Sequence, residues 1–217
     1  MSATDPNNHY YLSLAAAFVR GRLDPAPSGS SAEVVAAGQS AGLRVQRFKR
    51  NAELPRVRRV LGVLRGLAPR ALLDVGSGRG TFLWPLLDTL RDAHVMAIDR
   101  DPLRASDLGA VQRGGIENLR AARMDATRLA LAAKSFDVVT VLEVLEHLER
   151  PGLAAREAVR VARDFIVVSV PSRPDDNPEH VQLFTKESLT RLLSDAGSRR
   201  VNVETVRGHL VAVARVS

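Results

Sequence analysis

The sequence predicts an α/β protein: a doubly wound, mostly parallel seven-stranded sheet with a C-terminal antiparallel hairpin, preceded by an N-terminal helical extension. Three observations carry this. From Arg70 onward, apolar runs of strand length alternate with segments of helical period, the pattern of a sheet covered by helices on both faces. The first run, Ala71-Leu72-Leu73, leads into Asp74-Val-Gly-Ser-Gly-Arg-Gly80 and then into Phe82, Leu83, Leu86, Leu87 and Leu90 at helical spacing, so the order is strand, glycine turn, helix. At the other end, Arg207-Gly208 separates two extended segments and reads as a hairpin turn.

Taken in order, the polar Met1 to Asn8 is expected to be disordered. Tyr10 to Val19 reads as a short helix, and Asp24 to Ser31 as a proline-, glycine- and serine-rich break. A second helix opens at Ser31, capped by Ser30 or Ser31, and fades near Gly42. The basic stretch Leu43 to Asn51 is expected to be exposed. Leu54, Val57, Leu61 and Leu64 recur at helical spacing with Arg56, Arg58, Arg59 and Arg65 between them, which predicts an amphipathic helix lying on the sheet. The sheet itself is expected as strands 70–75, 94–99, 118–124, 136–142, 165–170, 200–206 and 209–216. Helices are expected at 80–91, 102–112, 151–163 and 185–196. Pro85 falls inside the first of these, so that helix is kinked or starts late. The division that follows is a basic helical extension and substrate lid at 1–66 and a cofactor-binding domain at 67–217.

Composition sets bounds. The 217 residues suffice for one domain with a real core plus an appendage. Cysteine is absent, which excludes disulfides, thiolate metal sites and a cysteine nucleophile. Every apolar stretch is broken by charge within about a dozen residues, short of a membrane span. The N-terminus lacks the layout of a signal peptide. A soluble cytoplasmic protein is the expectation. The net charge is +7, and residues 1–70 hold 11 Arg/Lys against 4 Asp/Glu while residues 71–217 hold 20 against 20. All the excess positive charge thus precedes the glycine turn, which points toward an anionic substrate or nucleic acid.

The glycine turn carries the first chemistry. Glycines at alternate positions let the chain bend sharply and let a flat ligand lie against main chain, and the following helix presents free N–H groups. Val95-Met96-Ala97-Ile98-Asp99 is a second apolar strand whose closing acid comes 19 residues after Gly80. A carboxylate there accepts hydrogen bonds from both hydroxyls of a ribose. A nucleoside-containing cofactor is the expectation, and G-x-G-x-G disfavours a nicotinamide dehydrogenase, whose turn is G-x-G-x-x-G.

With these motifs in hand, residues 66–217 resemble a class I S-adenosylmethionine-dependent methyltransferase. LLDVGSGRG matches the family's cofactor loop, Asp99 in AIDRDP its ribose acid, and Met124-Asp125-Ala126 the segment that meets the adenine amino group. SFDVVTVLEVLEHLERP (135–151) and HVQLFTKESLTRLLSDAG (180–197) match the fourth strand and a late segment. The resemblance implies cofactor contacts from Asp74, Gly76, Ser77, Gly78, Gly80, Asp99, Arg100, Asp125, Ala126 and Glu143. The chain departs from the family at Val161-Ala-Arg-Asp164, where relatives carry a glycine-rich turn.

Catalytic candidates cluster in Glu143-Val-Leu-Glu146-His147, at the carboxyl end of the fourth strand. If a helix begins at Glu143, residues 143, 146 and 147 share one face. Glu143, Glu146 and His147, with His180 as a fourth ligand, then form an oxygen-rich set suited to Mg²⁺ or Mn²⁺. The E-x-x-E-H pattern with a later histidine resembles Hen-type RNA 2′-O-methyltransferases, and part of it ubiquinone-pathway O-methyltransferases. The leading expectation is O-methylation of a small-molecule acceptor. The alternatives are ribose 2′-O-methylation of RNA through the basic segment, and a non-catalytic cofactor-binding module.

Overall fold

The structure is a computed structural model that describes residues 10–50, 54–174 and 176–217; the expected disorder of Met1 to Asn8 falls outside them. The extension comprises α1 (Leu12–Arg20), α2 (Ser31–Ser40) and α3 (Pro55–Leu67), with a short 3₁₀ turn at Val45–Phe48. A seven-stranded sheet follows: β1 (Ala71–Val75), β2 (His94–Asp99), β3 (Leu119–Arg123), β4 (Phe136–Leu142), β5 (Ala162–Pro171), β6 (Arg200–Val206) and β7 (His209–Arg215). It is interleaved with α4 (Leu83–Thr89), α5 (Pro102–Arg113), α6 (Pro151–Val161) and α7 (Lys186–Asp195).

The strand order is β3-β2-β1-β4-β5-β7-β6, parallel from β3 through β5, with β7 antiparallel to both β5 and β6. The doubly wound sheet with its terminal hairpin is therefore as the alternation predicts. Arg207 and Gly208 both carry positive φ, which matches a two-residue turn to the twist of the hairpin. Winding reverses between β1 and β4, so the carboxyl ends of those strands open a crevice. Alternate residues serve opposite faces: Leu72, Val95, Val138, Val167 and Val211 pack under α1 and α3 to α5. Leu73, Ile98, Val139, Ile166 and Val168 pack under α6 and α7.

Local chemistry explains the boundaries. Ser30 and Glu33 form a reciprocal capping box at the start of α2. α4 starts late, at Leu83, which places Pro85 in the first turn, where a missing N–H costs nothing. No turn separates α6 from β5: without glycine at Val161-Ala-Arg-Asp164, helix passes directly into strand, and the pairing with β4 shifts register near Phe136. Among the described residues no helix is long and apolar enough to cross a membrane.

The expectation of an exposed segment from Leu43 onward needs correction. Val45 and Phe48 are fully buried, and Phe48 stacks against Phe18 and Trp84 with ring centroids 5.3 and 4.7 Å away. The apolar residues at i and i+3 of one short turn face inward, and Arg47 between them reaches Asp107. Five cations of the extension bind acids of the sheet domain. Arg22 and Arg47 converge on Asp107, Arg50 meets Asp88, Arg56 meets Glu143 and Arg59 meets Glu204. Asp107 is buried, and both its arginines are largely covered. Removing it strands two poorly hydrated cations. Asp107→Ala should lower the unfolding free energy by about 2–4 kcal/mol, read by denaturant titration, whereas Asp88→Ala at a more exposed pair should change it by less than about 1 kcal/mol.

Candidate functional site

The glycine turn is held from both sides. Asp74, at the end of β1, is buried and accepts hydrogen bonds from the Ser77 hydroxyl (2.7 Å) and from the hydroxyl of Thr140 on β4 (2.7 Å). The Gly76 and Ser77 N–H groups donate to the Ile98 carbonyl of β2 (2.8 and 3.1 Å). Asp99, the last residue of β2, accepts from the Gly78 N–H (2.8 Å) through one oxygen and from the Asp101 N–H (2.9 Å) through the other. The loop is thus laced to β1, β2 and β4 before any ligand arrives.

All three glycines have positive φ, but only two are also sterically required. A Cβ on Gly76 would lie 2.4 Å from Val144, and one on Gly80 would lie 1.9 Å from the Trp84 ring. The Trp84 indole N–H in turn donates to the Arg79 carbonyl (3.0 Å). A Cβ on Gly78 would meet only the Gly76 carbonyl oxygen, at an ordinary 3.8 Å.

The cleft has a volume of about 560 Å³. Its walls include Gly76, Gly78, Asp99, Arg100, Asp125, Ala126, Glu143 and His147, so most of the expected cofactor residues meet in one place. Asp74 and Ser77 line a smaller cavity of about 180 Å³ on the other side of the loop, shared with Glu143 and Arg56. Gly80 faces neither of these two cavities; its task is to make room for Trp84. Asp125 accepts from the N–H and hydroxyl of Thr127 (2.8 and 2.7 Å). Those bonds, with the Arg100 guanidinium, hold its carboxyl below the usual range against a small burial effect. Asp101, Arg104, Val144, Leu148 and Glu179 also line the cleft and were not singled out by the sequence. No motif spacing marks them, since Glu179 arrives from a distant loop.

The catalytic cluster is arranged differently from expectation. No helix begins at Glu143. That residue takes φ +56 at the end of β4, and a 3₁₀ turn (Leu145–His147) follows. Positive φ in a non-glycine residue costs about 1–2 kcal/mol and swings the Glu143 side chain away from the Glu146/His147 face. Its carboxylate accepts from Ser169 (2.6 Å) and lies 3.1 Å from His209 Nε2 and 3.4 Å from Arg56 Nε. Burial pushes the Glu143 carboxyl up, but the His209 bond, the Arg56 charge and the Ser169 hydroxyl outweigh it and hold it below the usual range. Of the four expected metal ligands, Glu146, His147 and His180 do converge, with one donor atom from each lying within 4.8 Å of the others. The segment after β5 brings this about: Val181 N–H donates to the Glu146 carbonyl, and the Glu179 carbonyl sits 3.0 Å from His147 Nδ1. A carbonyl can only accept, so Nδ1 is the donor in this contact.

With this geometry, the comparisons with known proteins can be read. Residues 73–164 match a family described as a methyltransferase domain. The chain is 37% identical over 100 residues to a ubiquinone biosynthesis O-methyltransferase of Hahella chejuensis (strain KCTC 2396), covering 45% of this chain and 40% of that protein. It thus spans less than half the length of that relative. A SAM-dependent methyltransferase from Aquifex aeolicus superposes with a TM-score of 0.61 at 22% identity, covering 76% of this chain and 92% of that one. The N-terminal domain of EvdMO1, solved with SAH and D-fucose, superposes with a TM-score of 0.62 at 17% identity, covering 77% and 85%. The fold is that of the class I, S-adenosylmethionine-dependent methyltransferases.

Two predictions follow from the loop. Gly78→Ala should weaken cofactor binding at least about tenfold while lowering stability by only about 1–2 kcal/mol, because Gly78 lines the cleft and a Cβ there meets no crowded neighbour. Gly80→Ala should do the reverse and destabilise by about 3 kcal/mol or more, with calorimetry and denaturant titration separating the two. Burial pushes the Asp74 carboxyl up to about 6, with Asp99 adding to it against the Ser77 and Thr140 hydrogen bonds. Its folded form therefore holds a proton more tightly than the unfolded chain. Asp74's contribution is most favourable at low pH and is lost as pH rises from about 4 through 6. The stability difference between Asp74→Asn and wild type should thus move in the variant's favour over that range, by up to about 3 kcal/mol. A difference independent of pH would contradict the assignment.

Proposed function

We propose that this protein transfers the methyl group of S-adenosylmethionine to a hydroxyl on a small-molecule acceptor. One observation carries the reading: a single cleft at the carboxyl ends of β1, β2 and β4 brings Gly76, Gly78, Asp99, Asp125 and His147 together. The Asp99 carboxylate suits a ribose diol, and Asp125 and Ala126 suit the adenine edge. The open side of Gly78 admits the ligand against main chain. When bound, S-adenosylmethionine supplies a methyl group activated by its sulfonium. The chain then has to hold the acceptor oxygen in line, which can supply much of the catalysis by itself. As the oxygen–carbon bond forms and the carbon–sulfur bond breaks, the hydroxyl proton passes to His147 Nε2, whose ring is fixed by the Glu179 carbonyl. Glu143 is ionised beside the reaction centre and is positioned by Arg56, Ser169 and His209. The ubiquinone-biosynthesis relative transfers methyl to oxygen, which supports a hydroxyl acceptor.

A second reading, favoured by the convergence of Glu146, His147 and His180, is that these three hold a divalent cation such as Mg²⁺ or Mn²⁺ beside the acceptor. Such an ion would lower the pKa of a bound hydroxyl and replace His147 as the means of removing its proton. Glu143 stands outside that group, so the set is three donors from the chain.

Thermal shift with cofactors tests the first reading. S-adenosylhomocysteine should stabilise the protein and NAD should not, and Asp99→Ala should weaken S-adenosylhomocysteine by about tenfold or more. Stabilisation by NAD alone would contradict it. With an acceptor in hand, a chelator divides the mechanisms. Activity abolished by chelator and restored by Mg²⁺ selects the cation, and activity unchanged in chelator selects His147 as the base.

A further inference from the structure

Beyond the cofactor cleft, three smaller cavities join into one groove under the N-terminal extension. The first, about 180 Å³, runs from Glu143 and Arg56 along the glycine loop to Arg79. The second, about 250 Å³, continues from Arg79 between Arg47, Lys49 and Trp84. The third, about 420 Å³, extends from Arg79 and Arg47 to Arg44 and Arg104. Arg79 lines all three, and Arg47 the last two.

The charge along this groove becomes positive away from Glu143: the first cavity balances Arg56 and Arg79 against Asp74 and Glu143. Among the described residues, the middle cavity has three cations (Arg47, Lys49, Arg79) and no carboxylate in its wall, with apolar surface from Trp84, Leu54 and Val57 beside them. The far cavity has four cations against Asp101 and Asp107. Attachment of the extension explains Arg47 through its bond to Asp107, but it does not account for Arg44, Lys49 or Arg79. These three are exposed and, among the described residues, make no ion pair. Low-dielectric walls lined by one sign of charge focus potential into a cleft.

We propose that the groove holds a phosphate group of the methyl acceptor, so that the substrate is a phosphorylated small molecule; this rests on the methyl-transfer reading above. Its phosphate sits among Arg44, Arg47, Lys49 and Arg79, its apolar part lies along Trp84, and its hydroxyl end reaches Glu143. A dianion with three free oxygens uses several guanidinium and ammonium donors at once, more than one carboxylate does. Cavities of a few hundred cubic ångströms suit a small molecule, and four other cations of the extension (Arg22, Arg50, Arg56 and Arg59) are committed to ion pairs.

The test is calorimetric titration of the full chain with inorganic pyrophosphate, with and without S-adenosylhomocysteine. Wild type should bind pyrophosphate saturably. Lys49→Glu and Arg79→Ala should each weaken it by about tenfold or more. Lys49→Glu, which lies outside the cofactor cleft, should keep its S-adenosylhomocysteine affinity within about twofold, which shows that it is folded. No saturable binding, or equal binding in the variants, would overturn the proposal. So would a single-stranded RNA that binds more tightly than pyrophosphate with a salt slope of about four phosphates or more, since that marks a nucleic-acid groove. Wild type that binds pyrophosphate but not S-adenosylhomocysteine would overturn the methyl-donor reading instead, so the two failures are distinct.

Discussion

The hydrogen bond from the Gly78 N–H to the Asp99 carboxylate is the constraint on which the site depends. It ties the middle of the glycine loop to the end of β2, while Ser77 and Thr140 tie its beginning to Asp74 on β1. Loops that rely on solvent for their polar groups sample many shapes; this one has the Gly76, Ser77 and Gly78 N–H groups and the Ser77 hydroxyl satisfied by neighbouring strand ends. Gly76 and Gly78 are left in the wall of the cleft as a result. Pre-organisation of this kind lowers the ordering cost of binding a flat ligand. The same carboxylate that supports the loop has the chemistry to receive a ribose, so support and recognition are combined in one residue.

The extension completes the molecule through charge as much as through apolar burial. Its helices share a hydrophobic cluster with one face of the sheet. Arg22 and Arg47 close on Asp107, and Arg56 reaches the Glu143 carboxylate at the reaction end of β4. Glu143 is thereby fixed at a strained backbone position that no local preference of glutamate would choose. The contact couples the extension to the site. Without Arg56, the Glu143 carboxyl would lose one of the influences that keep it ionised.

The sheet was legible because its signals are local: apolar runs, glycine turns and helical periods each report on a few neighbouring residues. The cofactor loop and Asp99 were legible for the same reason, since one loop and one strand end carry them. What the sequence did not display was set by the backbone or by long-range packing. The positive φ at Glu143 redirects its side chain away from Glu146 and His147, and spacing alone cannot reveal that. Nothing local in the sequence marks His209, yet antiparallel pairing of β7 with β5 brings it 3.1 Å from Glu143. The basic run after Gly42 read as solvated because its charge was visible and its acidic partners, up to 60 residues away, were not. Its buried Val45 and Phe48 follow from a 3₁₀ turn too short to show periodicity.

The central claim is that Asp99 exchanges part of its work on the loop for a ribose while the loop keeps its shape. A crystal structure with S-adenosylhomocysteine tests it most directly. The account predicts the ligand in the cleft between Gly78 and Asp125, both ribose hydroxyls within about 3 Å of the Asp99 carboxylate, and the Asp74, Ser77 and Thr140 bonds unchanged. A ligand seated elsewhere, or a loop rebuilt around it with Asp99 turned away from the ribose, would contradict the account.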